Sequence, residues 1–406
     1  MQRTIYREIK LTPQIIQLAV LLVVFILAAG GAELYIEEYG HIVTGMTNQI
    51  VWGLPHVFAI FLIVAASGAL NVASIASVFG KSPYKPLARL SGLLALALLA
   101  GGLAVLVLDL GRPDRLIVAM TKYNFVSIFA WNIYLYTGFF AVVGIYLYVQ
   151  MERGISPSVV KVVGTAAFLW RLALTTGTGS IFGWLVARDA YNSAIMAPLF
   201  IVMSFAFGLA VFILVVKSIC GLTGRAFGAR LLHRLGRLLG IFVAGVLFFV
   251  AVQHLTNLYS AQRIGVERFI LLSGGIYTQL FWFGQVLIGG IIPLVLVYHP
   301  TGGAKPASIL TASALVIIGG FAQLYVLIVG GQAYPLDIFP GFAASSSFFD
   351  GQINTYTPSL PEILLGLGGV ALALALTGFG MKILRILPTT LSDVNVDPLN
   401  NSGKGA

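Results

Sequence analysis

Charge is what this chain has least of. Asp, Glu, Lys and Arg together make up 9% of its 406 residues, where soluble globular chains carry about 25%. That shortage excludes an ordinary water-soluble domain. Cysteine is nearly absent: Cys220 stands alone, which excludes an intrachain disulfide and any cluster held by several cysteines of this chain. Five histidines leave few ligands for a haem or a metal. Acids are scarcer than bases, 14 against 24, for a net charge of +10. In a soluble protein that balance would suggest nucleic acid; here the placement of the bases explains it. Period-two alternation is missing, which argues against a transmembrane barrel. No phosphate-cradling glycine loop and no nucleophile motif is evident.

What is present is apolar length. The chain is 58% hydrophobic, with a mean hydropathy of +0.95. Ten stretches reach spanning length, about 20 residues each: Gln14–Ala32, Leu54–Phe79, Leu87–Asp109, Val126–Gln150, Val159–Thr176, Met196–Lys217, Leu238–Leu258, Ile276–Tyr298, Ala307–Val329 and Pro361–Leu387. In lipid a backbone must satisfy its own hydrogen bonds, so these are helices. The first lacks a convincing cleavage site and reads as a spanning helix rather than a leader. With the N-terminus inside, seventeen Lys and Arg fall on inner segments and six on outer ones, Arg171 lying within a helix. Such a bias places both termini in the cytoplasm. The expectation is an all-α polytopic membrane bundle, residues 1–388, followed by a polar, disordered tail, 389–406.

The segment Leu106-Val107-Leu108-Asp109-Leu110-Gly111-Arg112-Pro113-Asp114-Arg115 ends the third stretch. Gly111 and Pro113 break the helix. Asp109 remains near membrane depth, where a lone carboxylate is costly, so Arg112 is its expected partner. A bland reading exists: a helix end with a local ion pair. Other polar residues gather at the same level, however. They include His56, Asn124, Ser127, Trp131, Asn132, the run Thr175–Ser180, Gln253, His254, Asn257 and Tyr259. Each has an ordinary explanation: an interfacial histidine, an aromatic-belt anchor, a helix cap or close helix packing. Together they outline a pocket for a polar-headed ligand near the outer face. Arg171 and Gln285 lie deeper, about midway along their helices, and suggest a polar path. Arg171 snorkelling to the interface is the alternative.

These residues carry a family resemblance. The string Leu108-Asp109-Leu110-Gly111-Arg112-Pro113-x-Arg115, with Asn124, Ser127 and Trp131 after it, resembles the signature of the NrfD/polysulfide-reductase (PsrC-like) membrane subunits. Trp52-Gly53, Arg188, Pro198, Phe200, Gly208, Trp282, Gly289, Pro293, Gly330-Gly331-Gln332 and the Tyr356-x-Pro358-x-x-Pro361-Glu362 ending resemble the ten-helix branch. Within that branch, the DsrP subunits of DsrMKJOP sulfur-metabolism complexes are the nearest likeness.

The resemblance implies an inner-membrane subunit that binds a quinone, menaquinone or ubiquinone, near the outer face and carries no haem or iron–sulfur cluster itself. Its implied partners are a periplasmic ferredoxin-like iron–sulfur subunit, cytochrome b and multihaem cytochrome c subunits, and a cytoplasmic iron–sulfur catalytic subunit. The implied quinone site comprises His56, Asp109 and Arg112, with Trp131 and Tyr134 as ring walls and His254 nearby. Asp109, Arg171, Thr175 and Gln285 would form a proton path, although the family often has His and Glu where this chain has Thr175 and Gln285. The outer loop Gly330–Ser359, with Gln332, Tyr334, Asp337 and Tyr356, is expected to dock the iron–sulfur partner. Two other classes stay open: a b-type cytochrome with one haem between His56 and His254, and a secondary transporter, for which no inverted repeat is visible.

Overall fold

The computed structural model describes residues 4–300, 302–335 and 351–393. Ten helices among them are long and apolar enough to cross a membrane: α1 (Pro13–Tyr39), α2 (Leu54–Ser77), α3 (Ser82–Leu108), α4 (Ile128–Met151), α5 (Pro157–Gly183), α6 (Met196–Leu222), α7 (Ala229–Tyr259), α8 (Ile276–Tyr298), α9 (Pro306–Ala333) and α10 (Leu360–Ile383). The fold is an all-α polytopic bundle. Side chains close several of the N-terminal turns: Thr12, Ser127 and Ser156 each accept a backbone N–H, and Ser359 forms a capping box with Glu362.

The helices fall into two groups of four, α2–α5 and α6–α9, which meet along α2 and α6, while α1 and α10 lie against the first group. Small residues set that seam. A Cβ on Gly68 would collide with the Ser204 carbonyl oxygen, and one on Gly208 with the Ala69 amide. The two backbones therefore touch, the usual way apolar helices adhere without a hydrophobic driving force. Beside the crossing, Phe61 stacks between Phe207 and Phe321, centroids 5.2 and 4.1 Å away. α1 is the least buried helix; its apolar side chains, such as Leu27 and Leu34, project outward as a lipid-facing surface does. It docks on α10 where Ala29 rests on Gly368.

Both described ends of the chain share one face of the bundle. Tyr6–Arg7 pairs antiparallel with Leu387–Pro388. Arg225 holds the knot, donating to the carbonyls of Glu8 and Leu387 at 3.0 and 3.1 Å. Residues 389–393 of the expected free tail are packed here: Leu391 is buried, and Asp393 accepts from the Arg230 and Leu231 amides at the start of α7. Residues 394–406 lie outside the described residues. The opposite end of the bundle is termed the site face below.

Several helices run past their expected ends. α1 continues past Ala32 to Tyr39 and carries Glu33, Glu37 and Glu38 on its last turns. α5 continues to Gly183 because Thr175 and Thr178 bond back to the carbonyls of Arg171 and Leu174. That local bonding satisfies hydroxyls that would otherwise interrupt a helix in lipid.

Gly68→Ala is expected to lower the melting temperature of the detergent-solubilised protein, the overpacking costing about 1–3 kcal/mol. Gly144→Ala, where nothing lies within 4 Å, should leave it unchanged.

Candidate functional site

His56 occupies the first turn of α2, just behind Pro55, and Asp109 ends α3 on the same face of the bundle. Their side chains meet, Nδ1 to Oδ2 at 2.7 Å. Asp109 is almost fully buried, its side chain 1% exposed, and it faces the negative end of its own helix. The contact with His56 lies off the axis of a straight hydrogen bond, so neither carboxylate oxygen has a well-directed donor among the described residues. Such a carboxylate is a polar group with unused capacity.

Asp109 does not pair with Arg112, contrary to the sequence-based expectation. The turn at Gly111 and Pro113 carries Arg112 outward, where its guanidinium binds Asp114 and raises its own pKa while lowering that of the carboxyl. Arg112 is well exposed and out of the Asp109 contact.

The wall beside His56 is also built differently from the expected one. Trp52 stacks on the imidazole with centroids 6.0 Å apart, and is itself flanked by Tyr191, Phe182 and Phe129. Trp131 and Tyr134 instead join Tyr123 and Phe125 in an exposed cluster, bonded to the carbonyls of Phe125 and Met120. Trp52 was findable: it stands four residues before His56, in the segment that leads into α2.

A dense set of hydrogen bonds fixes the chain leading into α2. The Gln332 side chain accepts from the Val51 and Trp52 amides at 3.0 and 3.1 Å and donates to the Trp52 carbonyl at 3.0 Å. Arg188 donates to the carbonyls of Gln49 and Gln332, and burial pushes its pKa down from the ordinary arginine value. The Tyr356 hydroxyl accepts from the Leu54 amide and donates to Glu362 at 2.6 Å. Glu362 in turn accepts from the amides of Gly45 and Ser359. Gly53 lacks a Cβ where one would strike Glu362 and Tyr356.

Gln332 and Tyr356, two of the residues expected to dock a partner, take part in this arrangement. Both are buried and committed to holding residues 45–54 in place. Tyr334 is half-buried against Phe269. Asp337 lies outside the described residues.

His254 belongs to a second cluster and shares no partner with His56. Its Nδ1 meets Glu267 Oε2 at 2.6 Å, Asn257 donates to the other carboxylate oxygen, and Arg263 donates to Asn257. Gln253, His254, Glu267, Gln285 and Gln323 line a cavity of about 30 Å³, enough for a water or two but not for a ring. Gln285 therefore sits within the second helix group. Arg171 and Thr175 are in the first, joined by the bond from the Thr175 hydroxyl to the Arg171 carbonyl. The Arg171 side chain is 1% exposed and lies between the rings of Phe168 and Phe205. Its Nε and one terminal nitrogen lack a hydrogen-bond partner among the described residues. Among the same residues no three His, Cys, Asp or Glu converge as metal ligands.

Comparison with known proteins matches residues 42–335 to the family model described as "Polysulphide reductase, NrfD". The chain is 28% identical to the Hdr-like menaquinol oxidoreductase integral membrane subunit of Archaeoglobus fulgidus, over 91% of this chain and 93% of that protein. It is 29% identical to a putative dimethyl sulfoxide reductase membrane subunit of Halobacterium salinarum, over 91% and 90%. A polypeptide of the polysulfide reductase of Wolinella succinogenes is 23% identical over 71% of this chain and 96% of its own length.

Gln332→Leu removes the groups that hold the Val51 and Trp52 backbone. The expected result is faster amide hydrogen exchange at those two positions and a loss of about 1–3 kcal/mol of stability, since buried backbone groups lose their partners.

Proposed function

The chain belongs to the NrfD polysulphide reductase family, and from that premise we propose that it is the quinone-reactive membrane subunit of a multi-subunit oxidoreductase. It exchanges electrons between the quinone pool and a docked periplasmic iron–sulfur subunit. The observation that carries this reading is the buried His56–Asp109 pair beside the Trp52 indole at one end of the bundle. The printed names of the relatives support it: a menaquinol oxidoreductase subunit, a dimethyl sulfoxide reductase membrane subunit and a component of polysulfide reductase.

The residue chemistry suits a quinone, whose two-electron reaction also moves two protons. The Asp109 carboxylate holds the Nδ1 side of His56, which leaves Nε2 free to face a ligand. There Nε2 accepts a hydroxyl proton or, when protonated, returns one to a carbonyl. The nearby carboxylate stabilises the imidazolium that forms. Trp52 and Phe129 supply apolar faces for the ring. Both hydrophobic wall and proton carrier thus sit where α2 leaves the bilayer.

The finer assignments belong to the same proposal. The site face is the outer face, both termini are cytoplasmic, and the membrane is the inner one, as the bias of basic residues favours. On the same proposal the protein belongs to a sulfur-metabolism complex with cytochrome b, multihaem cytochrome c and cytoplasmic iron–sulfur subunits, a reading that the sequence resemblance to DsrP supports. Arg171 and Thr175 offer one polar position at mid-depth. Gln285 serves a separate cavity.

His56→Ala in the assembled complex is expected to cut quinone-linked electron transfer by about a hundredfold or more, the usual range for a lost acid–base group, and to deplete co-purifying quinone. Unchanged turnover in an assembled variant would remove His56 from the site and overturn the reading.

A further inference from the structure

The family model begins at residue 42, so α1 and the turn after it lie outside the matched region. Yet this stretch reaches the Asp109 site. α1 is apolar on nearly every side, and its few buried positions are Ala29, Ala32 and Ile36. Glu33 falls on that same inward face, one turn beyond Ala29, where α1 rests on Gly368 of α10. On its other side α10 touches α3, with Gly369 against Val105 one turn before Asp109. The glycines of α10 thereby draw α1 and α3 together.

Three observations converge on Asp109. Glu33 lies within electrostatic reach of Asp109 on one side and of Glu37 on the other. Glu33 Oε2 is buried without a hydrogen-bond partner among the described residues, as are both Asp109 oxygens. His41, in the turn after α1, packs over Gly111, two residues past Asp109; an added Cβ there would lie 3.3 Å from its Nε2. Its Nδ1 too is buried without a partner among the described residues. Glu37, one turn beyond Glu33, is exposed. About 20 residues separate Pro13 from Glu33, a rise of about 30 Å, so Glu33 sits where the hydrocarbon layer ends.

We propose that α1 supplies the proton outlet of the site: Glu33 exchanges protons with Asp109 and passes them to the water at the site face by way of Glu37. The proposal rests on the quinone reading above. When a hydroquinone is oxidised, two electrons leave for the redox partner subunit and two protons must leave the site. For each proton accepted at His56 Nε2, one departs from Nδ1 to Asp109, then to Glu33, then to water. Asp109 and Glu33 end as they began, while His56 is left protonated at Nε2 rather than Nδ1 and its ring turns over before the next proton is taken; reduction runs the same steps backward. Among the described residues, the charged groups that act on Glu33 are Glu37 on its own helix and Asp109 on α3.

The test uses the assembled complex from membranes, comparing Glu33→Gln, Glu33→Asp and His56→Ala. Glu33→Gln should keep its bound quinone but lose about tenfold in turnover. It should also show a changed pH profile and a larger solvent deuterium isotope effect. Added formate, a small acid able to carry the proton, should restore part of the rate, and Glu33→Asp should retain most of it. A merely structural role for Glu33 would move neither the isotope effect nor the formate response. Native turnover, pH profile and isotope effect in Glu33→Gln, with His56→Ala inactive, overturn the outlet and leave the quinone reading standing. Activity in His56→Ala overturns that reading instead. Should Glu33→Gln fail to assemble, the native complex is treated with dicyclohexylcarbodiimide. Turnover lost with Glu33 modified and quinone retained supports the outlet; full turnover with Glu33 modified overturns it.

Discussion

A carboxylate buried at the edge of a lipid bilayer has to be compensated, and the compensation of Asp109 by His56 is the constraint on which the site face depends. Neither residue is held by its own sequence neighbours. His56 is aimed by the first turn of α2, and that turn is aimed by Gln332 from α9, by Tyr356 before α10 and by Arg188 between α5 and α6. Asp109 is aimed by α3, whose course is set by glycine contacts with α10 and α2. A buried His–Asp pair at one depth is thus fixed by elements from both helix groups.

The two groups solve the same problem twice, in different ways. At the site face of the first, an imidazole meets an aspartate that has spare acceptor capacity. In the second, His254 meets a glutamate whose other oxygen is taken by Asn257, with Arg263 beyond. The satisfied pair belongs to a polar network that ties α7 to the loop after it. The unsatisfied pair is the one beside a stacked indole, with apolar walls and an exposed phenylalanine edge. Buried polar groups with unused capacity are uncommon, and they concentrate where a ligand or water completes them.

The ten spans were legible because twenty apolar residues in a row admit few other structures, and the need of Asp109 for a partner was legible because charge at that depth is expensive. Its partner was not. Arg112 is three residues away and of opposite charge, while His56 is far off in sequence. Only the tertiary packing of α2 on α3 chooses between them, and the turn at Gly111 decides against Arg112. Gln332 and Tyr356 are a related case. Polar side chains next to a long loop suggest a surface for partners, but here they replace hydrogen bonds that an irregular backbone segment cannot make with itself. Glu33 fell outside the first apolar stretch because the hydrophobic run stops at Ala32, whereas the helix continues two turns further.

Arg171 shows how this bundle tolerates a charge deeper in the apolar layer. A guanidinium at mid-membrane costs at least about 2.5–3.5 kcal/mol on insertion scales. No carboxylate faces it among the described residues; instead Phe168 and Phe205 place ring centroids 4.8 and 4.9 Å from its central carbon. Two such faces offer about 0.5–2 kcal/mol each, which comes close to covering the cost without creating an ion pair. An ion pair there would lock the arginine. Aromatic faces are less directional and leave its unpaired N–H groups available, while Ser67 of α2 and Thr175 both bond to the Arg171 carbonyl and fix the backbone beneath it. The backbone is therefore held from two sides while the charged head keeps donors to offer.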